Sequence, residues 1–170
     1  MLIRQATRAD HERIAEIKVS NWADTYAPLL DRATLRPFLD RASQLDYVRK
    51  AAAGAATLLL VAEEGGSVIG FALTYFDRDP EPWMESLHVL RGHRSRGAGR
   101  LLMRATAEEL LARGHRTLRL GVVEGNHAAS RFYERLGAIR AGREPADWAD
   151  GAWHELFRWP SLESLTLRCR

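Results

Sequence analysis

Residues 85–103 read ESLHVLRGHRSRGAGRLLM, and this stretch constrains the chain more than any other. Leu87 and Val89 alternate with polar Ser86 and His88, the period-two pattern of a short strand. A turn rich in Arg and Gly follows, and a helical pattern restarts near Gly99 with Arg100, Leu101, Leu102 and Met103. When a strand passes through a glycine-rich turn into a helix, the first backbone N–H groups of that helix have no intrahelical partner and stand at the positive end of its dipole. Such a terminus takes phosphate. Gly97 and Gly99 put no Cβ in the way of an approaching anion. Arg91, Arg94, Arg96, Arg100 and Arg104 surround them, with no acidic residue between positions 90 and 105. This turn is built for a polyanion.

The basic balance of the whole chain, a net charge of +3 and a pI of about 9.4, raises the question of nucleic acid. Much of the dense positive charge lies in that single turn, however, and aromatic residues do not interleave with it as a stacking platform requires. An anionic cofactor accounts for the distribution; nucleic acid is not expected as a partner. At 170 residues the expectation is one domain with a full core, over 1–160, followed by a polar, frayed tail at 161–170. No apolar run approaches the roughly 18 residues of a membrane span, and the opening MLIRQATRADHER has no secretory stretch. No membrane association and a cytoplasmic setting are therefore expected. The one cysteine, Cys169, excludes a disulfide framework, and no His/Asp/Glu cluster has metal-ligand spacing, so no metal is expected.

Taken in order, residues 2–6 suit a first strand. Thr7 or Asp10 can cap a helix to about Ala23, with Ala15, Val19, Trp22 and Tyr26 as a stripe and Ile14 and Ile17 beside it. Residues 31–50 suit one or two short helices around Pro37. Residues 57–62 and 67–75 flank a Glu-Glu-Gly-Gly turn as a hairpin, and 83–89 form the next strand. The helix from Gly99 ends at Gly114, and 118–123 alternate as a strand. Strand, loop, helix and strand at these lengths make a βαβ unit with parallel neighbours. Asn126 caps a short helix with Ala129, Phe132, Tyr133 and Leu136 on one face and Gly137 beyond its end. Residues 138–143 and 153–159 read as the last two strands.

Neither the G-x-x-x-x-G-K-S/T nor the G-x-G-x-x-G phosphate signature is present. Arg94-x-x-Gly97-x-Gly99 instead resembles the pyrophosphate signature R/Q-x-x-G-x-G/A of the GNAT superfamily of N-acetyltransferases, which use acetyl-CoA. Residues 126–137 resemble that family's second signature, N-x-x-A-x-x-F-Y-x-x-x-G, and the opening I-R-x-A-T-x-x-D resembles its N-terminus. The resemblance runs from about Ile3 to Trp159. It implies an α/β fold with a mixed, mainly antiparallel sheet, flanked by helices and splayed at a central parallel pair, where acetyl-CoA enters as co-substrate. It further implies that the backbone of Leu87, His88 and Val89 lies along the pantetheine arm. The pyrophosphate would rest on Arg94, Ser95, Arg96, Gly97, Ala98, Gly99 and Arg100, with Asn126, Ser130 and Tyr133 near the pantetheine and sulfur. Trp22 and Tyr26 would line the acceptor pocket, although core packing explains their helical spacing equally well. Homodimers are frequent in the family, so the resemblance allows one.

The implied reaction is direct transfer of an acetyl group from a thioester to a primary amine of a small molecule or peptide. It needs a neutral amine, a stabilised oxyanion and a protonated leaving thiolate. Tyr133 matches the family's tyrosine at the sulfur, and a phenol with an ordinary pKa of about 10 carries its proton at neutral pH. Glu85 is the candidate base: period two places it on the face of Trp83, Leu87 and Val89, where partial burial would strengthen it as a base. Glu124 and His127 are the alternatives, as is ordered water. His88 departs from the tyrosine usual at its position. Cys169 has no partner that would make it a nucleophile. Two other readings stay open: an acetyltransferase of protein N-termini or lysines, and a non-catalytic module that binds acyl-CoA for regulation.

Overall fold

The structure, a computed structural model, describes residues 1–149 and 151–169. Strand β1 (Leu2–Gln5) leads through a short turn into α1 (His11–Tyr26), α2 (Arg32–Leu39) and α3 (Arg41–Ala52). The hairpin β2 (Thr57–Glu64) and β3 (Ser67–Tyr75) is followed by β4 (Trp83–Val89), α4 (Ala98–Ala112) and β5 (Leu118–Val123). Helix α5 (His127–Arg135), strands β6 (Ile139–Pro145) and β7 (Trp153–Trp159), and helix α6 (Leu162–Arg168) complete the chain. The strands form one seven-stranded sheet in the order β1-β2-β3-β4-β5-β7-β6. Every neighbouring pair is antiparallel except β4 and β5, as the βαβ pattern requires.

Both faces of the sheet are covered, which is why β2 reads as an unbroken apolar run. Its Leu58, Leu60 and Ala62 join one core with Leu102, Met103 and Leu110 of α4. Its Leu59 and Val61 join the other, with Ile14 and Ile17 of α1 and Val48 of α3. The β2–β3 turn places Gly65 and Gly66 at φ 58° and 78°, left-handed values that match a tight hairpin to the twist of its strands. Asp10 anchors the start of α1: its carboxylate accepts Thr7 N–H at 2.7 Å and pairs with Arg4 on β1 at 2.8 Å. Asp31 caps α2 by accepting from Ala33 and Thr34 N–H, and Asp40 caps α3 from Ser43 N–H.

Two expectations require correction. Helix α1 runs on to Tyr26, and its buried face includes Lys18 and Asn21 beside Ile14, Ala15, Ile17 and Trp22. A pattern of apolar residues cannot mark buried polar ones. The segment expected to fray at 161–170 instead carries α6, capped by Ser161, which accepts Ser164 N–H. Leu162 and Leu165 are fully buried in the core with Cys169, against α4. Burial pushes the Cys169 thiol up to about 11, so it is no nucleophile near neutral pH.

Candidate active site

Strands β4 and β5 pair only at Trp83 and Arg119. Beyond that point they part, and a cleft of about 680 Å³ opens between residues 84–89 of β4 and 120–122 of β5. A β-bulge accompanies the parting. Leu73 faces Ser86 and Thr74 faces Met84, which leaves Glu85 as an extra residue without a partner on β3. Bulges bend a strand and interrupt its alternation. Leu87 and Val89 accordingly pack toward the α4 core, whereas Glu85 reaches Tyr47 on α3, from the opposite side of the sheet. The expectation that Glu85 shares a face with Leu87 and Val89 fails for this reason. Glu85 is also exposed rather than partly buried.

The same register orients the backbone of β4. Leu90 N–H donates to Ile69 C=O, flanking the Gly70–Val89 pair, which marks that pair as one without mutual hydrogen bonds. The N–H of Val89, and by alternation that of Leu87, therefore points away from β3 into the cleft. With β5 splayed off, these groups form an unpaired strand edge.

At the end of the cleft the turn before α4 holds two left-handed residues, Ser95 at φ 63° and Gly97 at φ 90°. A Cβ on Gly97 would meet nothing within 4 Å, so glycine serves conformation there, not close packing. At Gly99 a Cβ would stand 3.3 Å from Phe132 Cζ, so its absence lets α5 come against the start of α4. The first helical bond of α4 runs from Leu101 N–H to Gly97 C=O; the N–H groups of Ala98 and Gly99 precede it. Ser95, Gly97, Gly99 and Arg100 line the cleft. The Ala98 side chain is buried in the core, leaving only its backbone available. The Arg96 side chain is exposed, 3.8 Å from Glu64. Arg94 lines the cleft, but its guanidinium turns toward α1, donating to Asn21 Oδ1 at 2.5 Å and to Val89 C=O at 3.0 Å.

Tyr133 and Tyr26 stand in the cleft wall beside Asn126. Asn126 caps α5 by accepting Ala129 N–H at 3.3 Å, and its side chain stands beside the Tyr26 phenol. Burial raises both phenols above the ordinary range, and for Tyr133 the neighbouring Tyr26 adds to the effect. The Tyr133 ring packs edge-on against Phe132 and Trp159. His88 stacks on Phe71 with centroids 5.2 Å apart. Burial, then the charges of Lys18 and Arg94, lower it to about 3, so it remains neutral and is a poor base. Glu85 is held by two donors, Trp83 Nε1 at 2.9 Å and the Tyr47 hydroxyl at 3.2 Å. Lys18 lies behind them with Nζ 4.0 Å over the Tyr47 ring; burial lowers its ammonium to about 8 against the opposing charge of Glu85.

Other expected site residues lie elsewhere. Trp22 stacks on Phe38 at 3.9 Å and meets Trp148 edge-on at 5.2 Å, within an aromatic cluster behind the cleft. Ser130 is on the buried face of α5, donating to Glu155 Oε2 at 3.0 Å. Glu124 pairs with Arg143 at 2.8 Å. Asn21, Thr25 and Tyr47 went unrecognised in the sequence. The available signal was a polar residue, Asn21, on the apolar face of α1. Among the described residues no group of three or more His, Cys, Asp or Glu has metal-site geometry, and no helix is long and apolar enough to cross a membrane.

The site is thus a mixed sheet opened at its parallel pair, with a left-handed glycine turn and a helix N-terminus at the end of the opening. The model of the acetyltransferase (GNAT) family matches residues 14–138. The chain belongs to that family. It is 25% identical to the uncharacterized N-acetyltransferase YuaI of Bacillus subtilis (strain 168), over 96% of this chain and 95% of that one. Among solved structures, the PaiA N-acetyltransferase of Thermoplasma acidophilum in complex with coenzyme A superposes with a TM-score of 0.76 at 18% identity, covering 92% of this chain and 96% of that one. YncA of Salmonella typhimurium with its cofactor acetyl-CoA gives 0.72 at 24% identity, covering 95% and 94%. These two share the fold.

Proposed function

We infer that the chain transfers an acetyl group from acetyl-CoA directly to a primary amine of a small molecule or peptide. The observation that carries this reading is the cleft itself: an unpaired β4 edge, a helix N-terminus at one end and the Tyr133 phenol in its wall. Its volume of about 680 Å³ is that of a small-molecule site. The residues present fit the co-substrate. The N–H groups of Leu87 and Val89 give an extended amide arm the partners that β5 withholds, and the N–H groups at the start of α4 suit the phosphates. Bound acetyl-CoA supplies the activated acetyl group.

The roles of the side chains follow from their placement. Val89 N–H lies along the cleft edge, where it can donate to the carbonyl oxygen as negative charge develops there. Glu85 takes the proton of the incoming ammonium, its carboxylate aimed by Trp83 and Tyr47. Because the bulge turns Glu85 toward α3, the acceptor approaches from the α1–α3 side. Tyr133 gives its proton to the departing sulfur, and the second proton that the acetylated nitrogen sheds restores the phenol by way of solvent. Its phenol, raised by burial, keeps that proton throughout the neutral range. His88 adds no charge beside the thioester.

Purified protein supplied with acetyl-CoA and a panel of small primary amines and short peptides is expected to release free thiol in an amine-dependent manner. Thiol release at the background rate with every amine would contradict the enzymatic reading.

A further inference from the structure

Arg94 occupies the first position of the turn that faces phosphate, yet its side chain is engaged elsewhere. Its Nε donates to Val89 C=O at 3.0 Å, and its Nη2 to Asn21 Oδ1 at 2.5 Å, with Thr25 Oγ1 3.4 Å away. Asn21 is 2% exposed, on the buried face of α1. All three partners are neutral oxygens. The positive charge of Arg94 also acts on the Tyr26 phenol and on His88, both walls of the cleft at its reacting end. The guanidinium therefore lies beside Tyr26, α1 and the end of β4.

A guanidinium is a rigid planar fork, and one that spans two elements fixes their separation and angle. Here one arm holds the last residue of β4 from beyond the strand, and the other reaches into α1. Val89 is the residue whose N–H faces the cleft, and β5 gives that edge no support past Trp83 and Arg119. β3 holds this end of β4 on one side, through Leu90 N–H to Ile69 C=O at 2.9 Å, and Arg94 holds it on the other, through Val89 C=O.

We propose that Arg94 and Asn21 form a latch that fixes the cleft edge of β4 against α1 and positions Val89 N–H for the thioester, Arg94 making no phosphate contact. This rests on the acetyl-CoA reading. Both are positioning residues. The latch also joins the strand that carries the cofactor to the helix that carries Tyr26, so the two halves of the site are set together.

Calorimetry with two probes tests it: acetyl-CoA, and adenosine 3′-phosphate 5′-diphosphate, which has the phosphates but no pantetheine or thioester. Arg94→Gln and Asn21→Leu each weaken acetyl-CoA binding about tenfold, the size of one hydrogen bond to a charged group, and leave the fragment within about twofold. Asn21→Asp, which keeps an acceptor oxygen at the same place, retains the wild-type affinity for acetyl-CoA. If Arg94→Gln weakens both probes equally, or Asn21→Leu binds acetyl-CoA as the wild type does, the latch is overturned while the acetyl-CoA reading stands. Wild-type protein that binds neither probe overturns both.

Discussion

Tyr133→Phe is expected to bind acetyl-CoA with wild-type affinity and to transfer acetyl about a hundredfold more slowly, the low end of what a positioned acid contributes. The substitution removes one hydroxyl and nothing else. The ring keeps its edge contacts with Phe132 and Trp159, at 5.2 and 5.6 Å between centroids, so α5 stays in place. The wall of the cleft keeps its shape. What is lost is a proton donor whose burial holds it protonated at neutral pH. Comparing kcat from thiol release with Kd from calorimetry separates the two effects. A module that only binds acyl-CoA has no rate to lose, and an unchanged kcat in a working enzyme would assign the proton to solvent.

A chain cut after Pro160 is expected not to fold cooperatively. The cut removes α6, whose Leu162 and Leu165 are fully buried against α4 with Cys169 at 1% exposure. It also removes the bond from Leu162 N–H to Arg116 C=O at 2.9 Å. Each buried leucine lost costs about 2–5 kcal/mol, and the pair is a large share of the roughly 5–15 kcal/mol that stabilises a domain. The milder Leu165→Ala is expected to lower the melting temperature by about 10 °C in calorimetric scans. A wild-type melting curve from either variant would show that α6 is dispensable.

That helix is also where the sequence misled. Leu162, Leu165 and Cys169 recur at helical spacing, but three positions among Glu, Ser, Thr and Arg at a terminus look like a polar tail. The long elements were legible for different reasons: β2 as a continuous apolar run, β3 as its return across a Glu-Glu-Gly-Gly turn, β5 by period two, and α4 by its stripe of Leu102, Met103, Thr106 and Leu110. The parallel β4–β5 pair followed from the βαβ spacing, and the opening at that pair was implied by the resemblance to the family.

The chemistry within the cleft was less legible, for a reason particular to β4. Met84, Glu85 and Ser86 read as ordinary alternation, and nothing local reveals that β3 skips a residue there. The skip reverses the face of Glu85, replacing burial beside Leu87 with a solvent-facing clamp of Trp83 and Tyr47. The partners of Arg94 were hidden in a similar manner. Its place in an Arg/Gly turn suggests phosphate, but its partner Asn21 lies 73 positions earlier, and only the packing of α1 brings them together. Trp22 packs behind Tyr26 with Phe38 and Trp148, and the latter two are contacts that no short window contains.

The central claim is that the cleft between β4 and β5 takes acetyl-CoA, and a calorimetric titration of the pure protein with acetyl-CoA, coenzyme A and ATP at moderate salt tests it most directly. Micromolar binding of acetyl-CoA and coenzyme A, with ATP far weaker, is the predicted result, because an unpaired strand edge and the phosphate turn must act together. Equal affinity for ATP would reduce the site to its phosphate turn, and no binding of acetyl-CoA would contradict the account.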